Sequence, residues 1–189
     1  MTYGVSKSFV MSWVNPAILY TKPEQFRDDG QNFMMSSKKE LDHYFMRQAV
    51  KEAQKAFKTN EVPVGAILVY RRQIIGRAYN QVRLLKDPTA HAEMIAITQG
   101  CESLKSEHLR DATLYVTLEP CPMCVGAMIL ARIERLVFGA REPKTGARGS
   151  MVHLMADAKW NHRFKIEEGV LEFESAALLQ EFFKNKRVK

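Results

Sequence analysis

Between Leu41 and Phe57 the apolar residues of LDHYFMRQAVKEAQKAF recur every three or four positions, the period of a helix with one buried face. The pattern then changes. VPVGAILVY (62–70) and QIIGRAY (73–79) are nearly continuous apolar runs separated by Arg71 and Arg72, and they predict two antiparallel strands joined by a short turn. A second helix is expected to carry MIAI after PTAHAE. ATLYVTL (112–118) reads as a buried strand, CPMCVGAMILARI (121–133) as a helix, RLVFGA (135–140) as a strand, GVLEF (169–173) as a fifth strand, and SAALLQEFFKNKR (175–187) as a closing amphipathic helix. Strands alternating with helices predict the α/β class: a three-layer α/β/α sandwich around a mixed five-stranded sheet, its first two strands antiparallel and its later ones parallel.

Residues 1–37 lack this regularity. They mix isolated apolar residues with Gly4, Pro16, Pro23, Gly30 and the polar run RDDGQN, so a poorly ordered N-terminal extension is expected there, followed by one domain over 38–189. The most apolar stretch of the extension, FVMSWVNPAILY, is too short to span a bilayer and is interrupted by Asn15 and Pro16, so no membrane segment is expected.

Composition narrows the function. A chain of 189 residues that is 46% apolar can bury a single core, and 28 basic against 21 acidic residues, a net +7, favour a polyanionic partner, nucleic acid first. Three cysteines, two of them in CPMC, are not a disulfide framework and point to a reducing cytoplasm.

The chemistry lies in two short stretches. PTAHAEM sets His91 and Glu93 two apart, where mid-helix side chains diverge, so both serve one site only if a helix starts there, with Thr89 as the expected cap. LEPCPMC sets Cys121 and Cys124 three apart on one face of a helix whose first position is expected near Pro120. The helix N-terminus favours thiolates. One imidazole and two thiolates make three zinc ligands with the fourth position open to water, and Glu93 is the acceptor for that water's proton. Cys101 reads as a free thiol at a helix end. His-x-Glu followed by Pro-Cys-x-x-Cys is also recognised as the signature of zinc nucleobase deaminases.

Residues 39–187 resemble the bacterial tRNA adenosine deaminase family, within the zinc-dependent cytidine and deoxycytidylate deaminases, through EVPVGAILV, DPTAHAEM, DATLYVTLEPCPMC, VFGAREPKTGARGS, NHR and AALLQEFF. The resemblance implies a cytidine deaminase-like five-stranded sheet between helices, a homodimer, and hydrolytic conversion of adenosine to inosine at the wobble position of a tRNA anticodon. It implies one zinc per chain on His91, Cys121 and Cys124, with zinc-bound hydroxide attacking C6 while Glu93 shuttles protons. Asn80 matches the asparagine that hydrogen-bonds the target base, and Val64 a residue of the pocket wall. Arg141, Glu142, Lys144 and Arg148 lie in the loop set against RNA, with Glu142 where the best-known members carry aspartate. Phe183 matches an aromatic near the bound loop, and the basic end that follows it, with Lys184 and Arg187, is the further RNA contact expected. Core packing would equally account for Val64 and Phe183, and a turn after a strand for Asn80.

Two other classes share part of the pattern. A zinc deaminase of a free nucleobase or mononucleotide, of the cytosine, guanine or deoxycytidylate type, would carry the same four metal-site residues and differ at Asn80, the Lys144 loop and the basic tail. A noncatalytic module stapled by zinc would have no use for Glu93 and would close its fourth position.

Overall fold

The structure, a computed structural model, describes residues 37–142, 144, 146 and 159–187. Apart from Ser37, the expected extension lies outside the described residues, as does Arg148. Helix α1 (Lys38–Lys58) begins at Ser37, whose hydroxyl accepts from the Glu40 N–H at 3.2 Å while the Glu40 carboxylate accepts from the Ser37 N–H at 3.1 Å. This reciprocal cap is worth about 1 kcal/mol. Strands β1 (Gly65–Tyr70) and β2 (Gln73–Tyr79) form the expected hairpin, turned by Arg71 and Arg72 at φ 48° and 65°. A short helix α2 (Val82–Leu85) follows, then α3 (Ala92–Leu104), β3 (Ala112–Leu118), α4 (Pro122–Leu130), β4 (Arg135–Ala140), β5 (Lys165–Glu167) and α5 (Glu172–Arg187).

The sheet order is β2-β1-β3-β4-β5, with β1 antiparallel to β2 and β3, and β3, β4 and β5 parallel. Both faces are covered, which is why the strands read as continuous apolar runs rather than alternating ones. Ile67, Val69, Tyr115 and Val137 pack against Phe45, Met46 and Ala49 of α1, and α5 joins that layer through the contact of Phe182 with Phe57. Ala66, Leu68, Leu114, Val116, Leu136 and Phe138 face α3 and α4 on the other side. Backbones approach closely on both faces. A Cβ on Gly65 would lie 2.1 Å from the Ala49 carbonyl oxygen of α1, and one on Gly76 would lie 2.4 Å from the Ala96 oxygen of α3. A buried ion pair joins α1 to β4: both Arg135 nitrogens reach the Asp42 carboxylate at 2.7 Å, and the Tyr115 hydroxyl donates to the same group at 2.9 Å.

Several elements differ from the sequence expectation: β1 begins at Gly65 rather than Val62, α2 has no counterpart in it, α5 begins three residues before Ser175, and β5 and α4 differ as well. The fifth strand is Lys165–Glu167, in register with Arg135–Val137, and not GVLEF. Gly169 and Leu171 have φ of 80° and 54°, which breaks an extended chain, and α5 starts at Glu172. Val170 and Leu171 look strand-like in sequence because they pack on the α1-side core from a turn. Helix α4 ends at Leu130, three residues short of the expected Ile133, because Arg132 turns at φ 56° and the Ile133 N–H closes back on the Met128 carbonyl at 3.1 Å.

Strand direction gathers the chemistry. Because β1 is antiparallel to both β2 and β3, those two run the same way, and β4 runs with β3. The chain therefore leaves β2, β3 and β4 at one end of the sheet, where it also enters β1. Asn80, His91, Cys121, Arg141 and Val64 all fall at that end.

Candidate metal centre and active site

His91 is the N-cap of α3, with extended backbone at φ −70° and ψ 151°. The expected cap, Thr89, lies two residues earlier, and its N–H and hydroxyl both donate to the Asp87 carboxylate at 2.7 Å. Asp-Pro-Thr thus forms a turn that delivers His91 to the helix start and leaves its ring free to face the sulfurs. Cys121 is likewise the N-cap of α4, and Pro122 rather than Pro120 opens that helix at N1, where its missing N–H does no harm.

The two helix starts bring three donor atoms together. His91 Nδ1 lies 3.6 Å from Cys121 Sγ and 3.5 Å from Cys124 Sγ, and the sulfurs are 3.6 Å apart. Tetrahedral zinc with Zn–S of about 2.3 Å and Zn–N of about 2.05 Å would set S–S and N–S separations of about 3.8 Å and about 3.6 Å. The residues present therefore fit the edges of a zinc tetrahedron. Among the described residues this is the group able to hold a metal ion.

The local charges agree. Cys121 is pushed down to about 4, first by its bond from Cys124 and then, against burial, by the His91 ring. Cys124, fully buried, is held up by the same bond, by burial and by Glu93. A bound dication would reverse that, since it deprotonates a coordinating thiol outright. Glu93, at the second position of α3, is buried beside Cys124, and desolvation raises its carboxyl against the opposing pull of its own N–H and of His91. The site thus sets a carboxyl that can hold a proton against a triad able to hold a metal.

Asn80 is buried directly after β2. Its N–H donates to the Val64 carbonyl at 3.0 Å and its side-chain amide donates to Glu61 at 3.3 Å. Val64 is buried in the core that also contains Cys124 and Ala90. In the loop after β4, Arg141 is exposed and pairs with Glu168 at 2.8 Å. The Glu142 carboxylate accepts from the Lys144 N–H at 2.9 Å, while its own N–H donates to buried Glu119 at 3.1 Å. Glu142 in place of aspartate is thus engaged with its own loop. In α5, Phe182 is the buried aromatic and Phe183 the exposed one, followed by exposed Lys184, Lys186 and Arg187. Lys186 hydrogen-bonds Asn60, beside Glu61.

Sequence reasoning misses Glu61 and Glu119, although a signal exists: each carboxylate flanks a run that the apolar pattern buries, and a buried charge demands partners. Cys101 lies in the last turn of α3 as a half-buried free thiol, raised above its usual range by burial. No helix among the described residues is long and apolar enough to cross a membrane.

The MafB19-like deaminase family model matches residues 40–187, so the class that this fold and site define is the deaminases. The tRNA-specific adenosine deaminase of Bacillus subtilis (strain 168) is 46% identical over 148 residues, spanning 78% of this chain and 92% of its own. This chain belongs to the tRNA-specific adenosine deaminase family. A solved structure from a study of A-to-I editing by tRNA:A34 deaminases at the wobble position matches with a TM-score of 0.70 at 46% identity, over 72% of this chain and 99% of that one. A guanine deaminase structure from Bacillus subtilis matches with a TM-score of 0.50 at 38% identity, over 52% of this chain and 63% of that one.

Proposed function

We propose that this chain hydrolytically deaminates adenosine to inosine at the wobble position of a tRNA anticodon, as a cytoplasmic homodimer with one zinc ion per chain. The observation that carries the reading is the His91–Cys121–Cys124 triangle, with edges of 3.5–3.6 Å and buried Glu93 beside it, in a chain this similar to a tRNA:A34 deaminase. His91, Cys121 and Cys124 would hold the zinc, which as a Lewis acid would bring the pKa of a water down to about 7. Glu93 then does the proton work. Its carboxylate accepts the proton released as water adds to C6 of the adenine and passes it to ring N1; it then takes the proton of the new C6 hydroxyl and hands it to the exocyclic nitrogen, which departs as ammonia as the C6 carbonyl forms. Adenosine and water become inosine and ammonia, and the carboxyl ends as it began.

Asn80 would hydrogen-bond the base against a wall that includes Val64. Arg141, Glu142, Lys144 and Arg148 would line the RNA side, with Phe183, Lys184 and Arg187 beyond. An anticodon loop suits such a surface, since its bases are already unstacked and its phosphates closely spaced. Exposed Leu130 and Phe173 are apolar surface that a second copy could cover. The catalytic domain is proposed to span 38–189, with the preceding residues outside it.

A second reading is favoured by one observation, the 38% identity with a guanine deaminase over half of this chain: deamination of a free base. Incubating the zinc-loaded protein with an anticodon stem-loop and, separately, with free adenosine, cytidine and guanine decides between them. Inosine in the RNA at the wobble position, at a rate well above that on any free base or nucleoside, is the expected result. Faster turnover of guanine or cytidine than of the RNA overturns it.

A further inference from the structure

Glu61 is among the most deeply buried side chains of the molecule, 1% exposed, and it ends in a carboxylate. Burying such a group without partners is expensive, and packing alone would be served better by an aliphatic residue. Its two oxygens divide their work. One accepts the N–H of Leu84 at 2.7 Å, an orphan donor of the first turn of α2, and the other accepts the side-chain amide of Asn80 at 3.3 Å. The backbone of Glu61 is fixed from behind. Asn60, at φ 65°, turns the chain just beyond the end of α1, and the Glu61 N–H closes onto the Ala56 carbonyl at 2.9 Å.

A carboxylate can only accept, whereas an asparagine amide has two donor hydrogens and one acceptor oxygen. The NH2 end of Asn80 must therefore face Glu61, since a flipped amide would set its oxygen against a carboxylate oxygen. The Asn80 backbone is pinned at the same time by its bond to Val64, and that of Gln81 by its bond to Ala90 at 3.0 Å.

We propose that Glu61 is a positioning residue, holding the Asn80 amide in one orientation so that a defined pair of groups, its Oδ1 and its second N–H, is presented to the purine. This rests on the proposed role of Asn80 toward the base. Glu61 does not touch the substrate; it decides which hydrogen-bonding pattern the pocket offers. Of adenine's ring edge, N7 accepts and the exocyclic N6 donates, so an amide with fixed ends reads them in one sense only.

The test uses full-length protein. In the unmutated chain, NMR of the Asn80 side chain should show one amide proton shifted downfield and protected from exchange with solvent, because it is bonded to a buried carboxylate; both protons at ordinary asparagine positions and exchanging at the solvent rate would overturn the proposal. Glu61→Gln keeps size but offers one acceptor for two donors. It should retain zinc, shift the Asn80 amide signals, and raise KM for an anticodon stem-loop by about tenfold with kcat changed by less than about twofold, as loss of uniform binding requires. In an Asn80→Ala background the same substitution should add nothing further to KM. An equal KM increase with and without the Asn80 amide would show that Glu61 acts independently of it. Should the unmutated protein fail to deaminate the stem-loop, the functional reading falls, while the amide signals still decide the positioning role.

Discussion

One alanine separates His91 from Glu93, and within a helix that spacing would send the two side chains apart. His91 is instead an extended N-cap and Glu93 already helical, so one residue is placed to act as the proposed metal donor and the other as a buried carboxyl beside the same cluster. This division of labour predicts different failures. Cys124→Ser replaces a fully buried sulfur donor and should empty the site, read as loss of zinc by elemental analysis and a lower melting temperature. Glu93→Ala leaves all three donors and should keep one zinc per chain while turnover falls by about 10²–10⁴-fold. Near-normal turnover in Glu93→Ala would remove it from the proposed mechanism.

At the scale of elements, the C-terminal half of α5 has two faces that differ in burial. Its Phe182 is buried against Phe57 of α1 with ring centroids 6.0 Å apart, whereas Phe183 is 46% exposed and introduces Lys184, Lys186 and Arg187. Cations at a helix C-terminus are favoured by the dipole alone. Lys186, however, bridges to Asn60, next to the hydrogen bond between Glu61 and Asn80, which brings this basic end alongside the proposed pocket. Changing Lys184, Lys186 and Arg187 together to Gln should raise KM for the stem-loop, leave zinc in place, and reduce the log–log salt slope of binding by about 0.7 for each phosphate that the variant leaves unneutralised. An unchanged salt slope would mean that these residues only complete the helix.

Over the whole molecule, the two antiparallel neighbours of β1 bring the segments after β2 and β3 to one end of the sheet, and His91 and Cys121, 30 apart in sequence, come within 3.6 Å of each other. The matched family spans residues 40–187, and α1 is capped within its own sequence by Ser37 and Glu40. A chain beginning at Met35 keeps that cap and the whole sheet with its helices, and should fold, bind zinc and deaminate at the full-length rate. Insolubility or inactivity of that chain, with the full chain active, would place part of residues 1–34 within the catalytic unit.

Strand identity was legible wherever apolar runs were long: QIIGRAY, ATLYVTL and RLVFGA coincide with β2, β3 and β4. The clustering of His91, Cys121 and Cys124 was legible too, because ligand chemistry would demand particular residue types at helix starts, and such a demand survives in sequence spacing. Short elements were not. KIE is only three residues long, and it is a strand because β4 offers it a parallel edge, while GVLEF is more apolar yet turns at Gly169. Nor could sequence reveal that Glu61 meets Asn80 across 19 positions or that Arg135 meets Asp42 across 93. A polar side chain's partner is whichever donor the packed sheet and helices carry to it, and only the tertiary structure fixes that, since the cost of leaving a buried charge unsatisfied is felt once the core has closed around it.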